Sequence, residues 1–169
     1  DANCVAISEA KFGCKKKNFI ILTLGTGIGG GVIIDGKLYK GEGYAGELGH
    51  IIIHDGKDLE YYWKKHRLDC EECFGREMLI KDLLKMREEN AEAILESSAK
   101  YLGQGIASLA VSFDPEVVIL MGGARETGDK FLKLIRDYTN KYSILPKKTP
   151  IVWSKIEHPG ILGASLIVR

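Results

Sequence analysis

The chain has 169 residues, 45% hydrophobic and 28% charged, with 24 Lys and Arg against 23 Asp and Glu for a formal net charge of +1. That size supports one domain with a real core, and the balanced charge excludes a large electrostatic footprint for nucleic acid or an anionic membrane surface. No apolar run reaches the ~18 residues of a membrane span, no signal-peptide pattern opens the chain, and the four cysteines sit in two unlike settings rather than in a disulfide framework, so a reducing cytoplasm is the expected location.

In chain order, Asp1 can cap a helix that runs to about Lys11 and stops at Gly13. The run Lys15-Lys16-Lys17 is too short for a binding patch and reads as a solvated loop. Asn18 to Leu24 is a buried strand by its apolar run, and a glycine cluster follows it directly. Val32-Ile33-Ile34, Asp35-Gly36 and Lys37-Leu38-Tyr39 spell a hairpin, and His50 to Ile53 is a further strand candidate. The polar and aromatic stretch at about 54–75 lacks strong periodicity and is expected to be an insertion or a local metal site, not core. Spacing predicts helices over Arg76 to Met86, Asn90 to Ser112 and Lys130 to Tyr142. Val117 to Met121 is an all-apolar strand, Ile151 to Trp153 a short one, and Ile161 to Val168 a last helix. Strands that first meander and then alternate with helices indicate a layered α/β domain.

The richest segment is Leu22 to His50. Gly25-x-Gly27-x-x-Gly30 superficially matches a dinucleotide fingerprint, which requires the glycines to open a helix. Here β-branched residues and a hairpin signal follow instead, so the glycines lie between strands and that reading fails. A strand–glycine–strand unit can still turn backbone N–H groups toward a phosphate, and Thr26 adds a hydroxyl donor. The alternative is a tight turn between buried strands; five glycines in seven residues exceed what one turn needs. Gly122-Gly123 follows the second buried strand, where α/β sheets bind their ligands.

These residues carry a resemblance. Asp1-Ala2-Asn3-Cys4, Leu22 through Gly31, Gly46-Glu47-Leu48-Gly49-His50, Val118 through Ala124 and Gly160-Ile161-Leu162-Gly163-Ala164 follow in the order of the ROK family of sugar kinases and sugar-responsive repressors. The resemblance spans the whole chain but only the second half of the family pattern: residues 1–169 resemble a single carboxy-terminal ROK-type kinase domain, and the Asp-x-Gly-Gly-Thr loop of the family's amino-terminal domain does not occur. It implies the second domain of an actin-like (ribonuclease H-like, hexokinase-type) ATPase fold, with a mixed sheet flanked by helices.

It also implies roles. Asp1 would be the general base that accepts the proton of the attacking sugar hydroxyl, where the residue alone would suggest a helix cap. Asn3, Glu47 and His50 would bind the sugar, although a lone histidine here could equally be satisfied by backbone. Gly25, Thr26, Gly27, Gly122 and Gly123 would bind ATP, with Mg²⁺ shared between the phosphates and the amino-terminal domain. Many relatives follow the histidine with Cys-x-Cys-Gly-x-x-Gly-Cys-x-Glu around structural zinc. This chain has His66-x3-Cys70-x2-Cys73, which with His50 or His54 makes four possible zinc ligands, or else two reduced thiols at a helix start. The glutamate that closes the family motif on the sugar is assigned to Glu71, with Asp69 and Glu72 as rivals. Cys4 and Cys14 read as structural.

The expectation is therefore part of an ATP-dependent, glucokinase-like hexose kinase that is inactive as an isolated segment, with hexose and nucleotide as ligands and a homo-oligomeric assembly. The alternative is the sugar-binding effector domain of a ROK-type repressor. A third reading keeps the enzyme but makes polyphosphate the phosphoryl donor.

Overall fold

The computed structural model describes residues 2–157 and 160–163. Its sheet is built around β1 (Phe19–Leu24), whose continuous apolar run fits a strand covered on both faces. β1 pairs antiparallel with β2 (Ile28–Ile34) and parallel with β6 (Val117–Gly122). β3 (Lys37–Tyr39) continues the meander beyond β2, and β7 (Ile151–Trp153) adds in parallel beyond β6, giving the order β3-β2-β1-β6-β7. The sheet is mixed, as expected.

Alternation along β1 divides the core. Ile20, Leu22 and Leu24 face a cluster shared with α2 (Leu59–Phe74), α4 (Glu89–Phe113) and α5 (Asp129–Tyr142). Phe19 and Ile21 face Val5 and Ala6 of α1 (Ala2–Ser8) on the other side. α1 continues into a π-helical turn, Glu9–Gly13, closed by the Cys14 N–H donating to the Glu9 carbonyl at 2.8 Å. The helical path thus ends at Gly13, where the glycine signal put it. Asp1 lies outside the described residues, as do 164–168 of the expected last helix; Gly160 to Gly163 are helical.

Three expectations are corrected. The stretch expected to be a polar insertion is a short ribbon, β4 (Ile52–His54) with β5 (Lys57–Asp58), followed by the 16-residue α2. Its buried residues Leu59, Tyr62, Trp63, His66 and Cys70 recur at helical spacing. They were hidden because aromatic, His and Cys side chains do not score as an apolar stripe. Second, among the described residues β4 pairs only with β5 and does not join the main sheet; Leu48–His50 before it is a 3₁₀ turn. Third, Arg76 to Met86 contains just one helical turn, α3 (Ile80–Leu83), because Leu79 is extended with ψ of 151°. The apolar spacing still serves the core, as Met78, Ile80 and Leu83 are buried.

Candidate functional site

β1 and β2 are joined by three residues, Gly25-Thr26-Gly27, with Leu24 opposite Ile28. The Gly25 N–H donates to the Gly27 carbonyl at 3.0 Å, which tightens the loop. In the parallel register Leu24 lies beside Gly122, so both glycine segments emerge together at the carboxyl ends of adjacent strands. Open α/β sheets leave their ligand crevices there. A cleft of about 670 Å³ occupies the spot, lined by Gly25, Thr26, Gly27, Gly122, Glu60 and the start of α1 at Ala2. A smaller cavity of about 220 Å³ lies against Gly25, Thr26 and Gly123, with Arg67 and Lys81 on its wall. Thr26 is exposed, so its hydroxyl is available to a ligand.

Glycine does different work along the cluster. Gly122 has φ of 115°, and a Cβ there would run into the Leu24 backbone carbonyl. Gly30 and Gly31 are inside β2, where a Cβ would come within 2.6 Å of the Gly46 carbonyl oxygen and of Ala6 respectively. Those two glycines let α1 and the Gly46–Gly49 segment lie directly on the strand. The excess of glycine thus serves partly the loop at the cleft and partly close packing.

α2 holds the loop from behind. The Trp63 indole N–H donates to the Gly25 carbonyl at 2.9 Å, and the Glu60 carboxylate accepts the Ile28 N–H at 2.8 Å. Both ends of the three-residue loop are therefore tied to one helix. The Lys64 ammonium beside it is the main cause that keeps the Glu60 carboxyl below its ordinary range; burial opposes this, and the Ile28 N–H adds to the lowering. Glu60 is an anion that reaches the cleft.

The Glu47-x-Gly-His50 segment forms a turn, with the His50 N–H donating to the Glu47 carbonyl at 3.1 Å and Leu48 buried as its anchor. His50 Nδ1 lies 2.9 Å from the Asp58 carboxylate. A carboxylate only accepts, so Nδ1 carries the proton. That hydrogen bond is the main cause that raises the imidazole pKa; burial opposes it, and the charges of Asp58, Glu60 and Glu47 add to the rise. Burial pushes the Asp58 carboxyl up, but the bonds from His50 and the Tyr61 N–H outweigh it and lower it. Asp58 is also the N-cap of α2, accepting from Tyr61 at 2.7 Å.

The structure thus gathers Gly25, Thr26, Gly27 and Gly122 at one cleft, with Gly123 on the adjoining cavity. Asn3, on α1, has its Oδ1 only 3.3 Å from where a Cβ on Gly46 would stand, next to the Glu47 turn. Glu71 does not join the site. It is exposed near the far end of α2, three turns beyond Glu60, and Glu60 is the carboxylate that lines the cleft.

The expected metal set disperses as well. His66 and Cys70 are buried in the core, Cys73 is exposed, and His50 is bonded to Asp58. Burial lowers the His66 pKa against its bond to the Trp63 carbonyl, and burial raises the Cys70 thiol. Among the described residues no group of three or more His, Cys, Asp or Glu is arranged to hold a metal ion. These side chains do not fit a zinc site. Sequence reading missed Asp58, Glu60 and Trp63; the signal was present as an Asp N-cap followed by an acidic residue in the first helical turn.

The sequence pattern of the ROK family matches residues 1–169, the full chain. The chain belongs to the ROK family. It is 32% identical to a glucokinase of Streptomyces coelicolor, over 100% of this chain and 65% of the relative, and 32% identical to a xylose repressor of Caldicellulosiruptor bescii, over 86% and 44%. The crystal structure of a ROK family glucokinase from Streptomyces griseus in complex with glucose and AMPPNP superposes with a TM-score of 0.85, at 25% identity over 98% of this chain and 65% of that one. ROK sugar kinases have an actin-like ATPase fold, and the α/β architecture here is that of this group. The chain spans under two thirds of the length of these relatives. Among the described residues, no helix of this ROK chain is long and apolar enough to cross a membrane.

Proposed function

We propose that this ROK chain supplies the nucleotide wall and part of the sugar wall of an ATP-dependent hexose kinase of glucokinase type. The observation that carries the reading is the glycine loop Gly25–Gly27, braced by α2 and opening with Thr26 onto the same cleft as Gly122. Backbone N–H groups and a threonine hydroxyl at that loop suit a terminal phosphate, and Gly122 and Gly123 suit the remainder of the nucleotide. In the reaction a sugar hydroxyl attacks the γ-phosphorus of ATP, the bond to the bridging β,γ-oxygen breaks, ADP leaves, and Asp1 takes the hydroxyl proton. Mg²⁺ carried with ATP would supply positive charge against the negative charge developing during transfer. Asn3, Glu47 and His50 bind the sugar, and Glu60, not Glu71, is the second carboxylate on that side.

Similarity to the xylose repressor favours one rival, a sugar-binding effector domain without phosphoryl transfer. A coupled assay on the whole protein separates the two. Glucose, mannose and N-acetylated hexosamines are offered with ATP or with polyphosphate. Nucleotide-dependent sugar phosphate formation supports the kinase; sugar binding without transfer from either donor supports the effector domain, and turnover with polyphosphate alone changes the donor. Asp1→Asn should cut turnover by at least about 100-fold, the usual contribution of a general base, while sugar affinity changes little.

A further inference from the structure

His50 is the sugar-side residue with a hydrogen-bonded side-chain partner, and that partner is Asp58. The ring is more than half exposed, so packing alone does not fix its orientation. The candidate metal ligands do not converge on it, which leaves the carboxylate at 2.9 Å as the group that holds the imidazole. Asp58 is itself rigidly placed. One oxygen accepts the Tyr61 N–H at 2.7 Å as the cap of α2 and the other meets His50 Nδ1.

We propose that Asp58 is a positioning residue for His50: its carboxylate, in place of a metal ion, fixes the ring and holds the proton on Nδ1, leaving Nε2 to meet a sugar hydroxyl. The same helix turn carries Glu60, bonded to the Ile28 N–H, and one turn later Trp63, bonded to the Gly25 carbonyl. The sugar-side histidine and the phosphate loop are consequently mounted on a single element, and the distance between them is set by α2. The inference rests on the reading of His50 as a sugar contact.

Asp58→Asn isolates the role. Asparagine is as good an N-cap as aspartate, so its carbonyl keeps the Tyr61 bond and α2 stays capped. Its amide N–H₂ then faces His50, which accepts at Nδ1 only if the proton moves to Nε2. In the whole protein, the hexose bound most tightly among glucose, mannose and N-acetylglucosamine should bind Asp58→Asn about 10-fold more weakly or worse, as when outer partners of a ligating histidine are lost. Affinity for AMPPNP should stay within about twofold of wild type, and ¹⁵N spectra of the free protein should show the His50 proton moving from Nδ1 to Nε2. Metal analysis should find no stoichiometric zinc, and EDTA should leave sugar affinity unchanged.

If His50→Ala binds the sugar as wild type does, the sugar-contact reading falls and the inference with it. If His50→Ala weakens the sugar while Asp58→Asn changes neither affinity nor tautomer, the positioning role alone is overturned. Stoichiometric zinc whose removal abolishes sugar binding overturns the replacement of metal by carboxylate.

Discussion

The indole N–H of Trp63 donates to the carbonyl oxygen of Gly25 at 2.9 Å, joining a core helix to the first residue of the glycine loop. Trp63 is 4% exposed and packs in the main cluster with Leu24 and Leu59, so the core itself holds the loop. A loop of three small residues has little means of fixing its own shape, and the order needed to aim N–H groups is supplied from outside it.

Trp63→Phe should separate anchoring from packing. Phenylalanine keeps most of the apolar contact and loses the indole N–H, so urea unfolding should show a loss of about 1 kcal/mol, the net worth of one hydrogen bond. AMPPNP affinity should fall severalfold while hexose affinity holds. Unchanged nucleotide binding would remove the loop-bracing role from Trp63.

Gly122 and Gly123 are adjacent yet should differ sharply. At Gly122, φ of 115° and the Leu24 backbone carbonyl both oppose a side chain, whereas a Cβ on Gly123 meets nothing within 4 Å. Gly122→Ala should cost at least ~1–3 kcal/mol from backbone strain alone and should weaken nucleotide binding. Gly123→Ala should lie within about 0.5 kcal/mol of wild type, as substitutions away from such features do. Equal losses in thermal unfolding would refute the backbone assignment.

Glu60→Gln and Glu71→Gln test which carboxylate serves the sugar side. Glu60 lines the cleft and Glu71 is exposed farther along α2. Calorimetric titration with the hexose should show Glu60→Gln weakened about tenfold, in line with the ~1.5–3 kcal/mol of a hydrogen bond to a charged group, and Glu71→Gln unchanged. The reverse ranking would restore the sequence-based assignment.

His66 should make the protein acid-sensitive. Its ring is 3% exposed, and burial holds its pKa below the ordinary 6.5 against the hydrogen bond to the Trp63 carbonyl. Below pH 6.5 the unfolded chain takes a proton that the folded ring resists, so stability is lost as pH falls from there through the folded value. His50 has the opposite sign, since its raised pKa adds stability on the acid side, which makes comparison with a variant necessary. Urea midpoints of His66→Phe between pH 7 and pH 5 should decline less than those of wild type; parallel lines would mean that His66 does not carry the effect.

Much of this was legible in the sequence because it is local. Leu24-Gly25-Thr26-Gly27 declares a loop after an apolar strand, and Asp35-Gly36 declares a hairpin, each from the preferences of a few neighbouring residues. α2 was not legible because its buried face, apart from Leu59, consists of Tyr62, Trp63, His66 and Cys70, residue types that also serve in binding sites. His66-x3-Cys70 looked like metal spacing, yet the same i, i+4 interval is what places two side chains on one buried face of a helix.

The sequence by itself determined an α/β domain with two glycine segments, because strand runs, hairpin signals and glycine placement are encoded over short stretches and keep their meaning out of context; its motifs carried the resemblance to the ROK family. Only the tertiary structure decided which carboxylates reach the cleft, that His50 is held by Asp58, and that Gly30 and Gly31 of the glycine cluster serve packing. The first depends on α2 crossing behind a loop more than thirty residues earlier in the chain, and a contact at that separation leaves no period or spacing in the sequence to read.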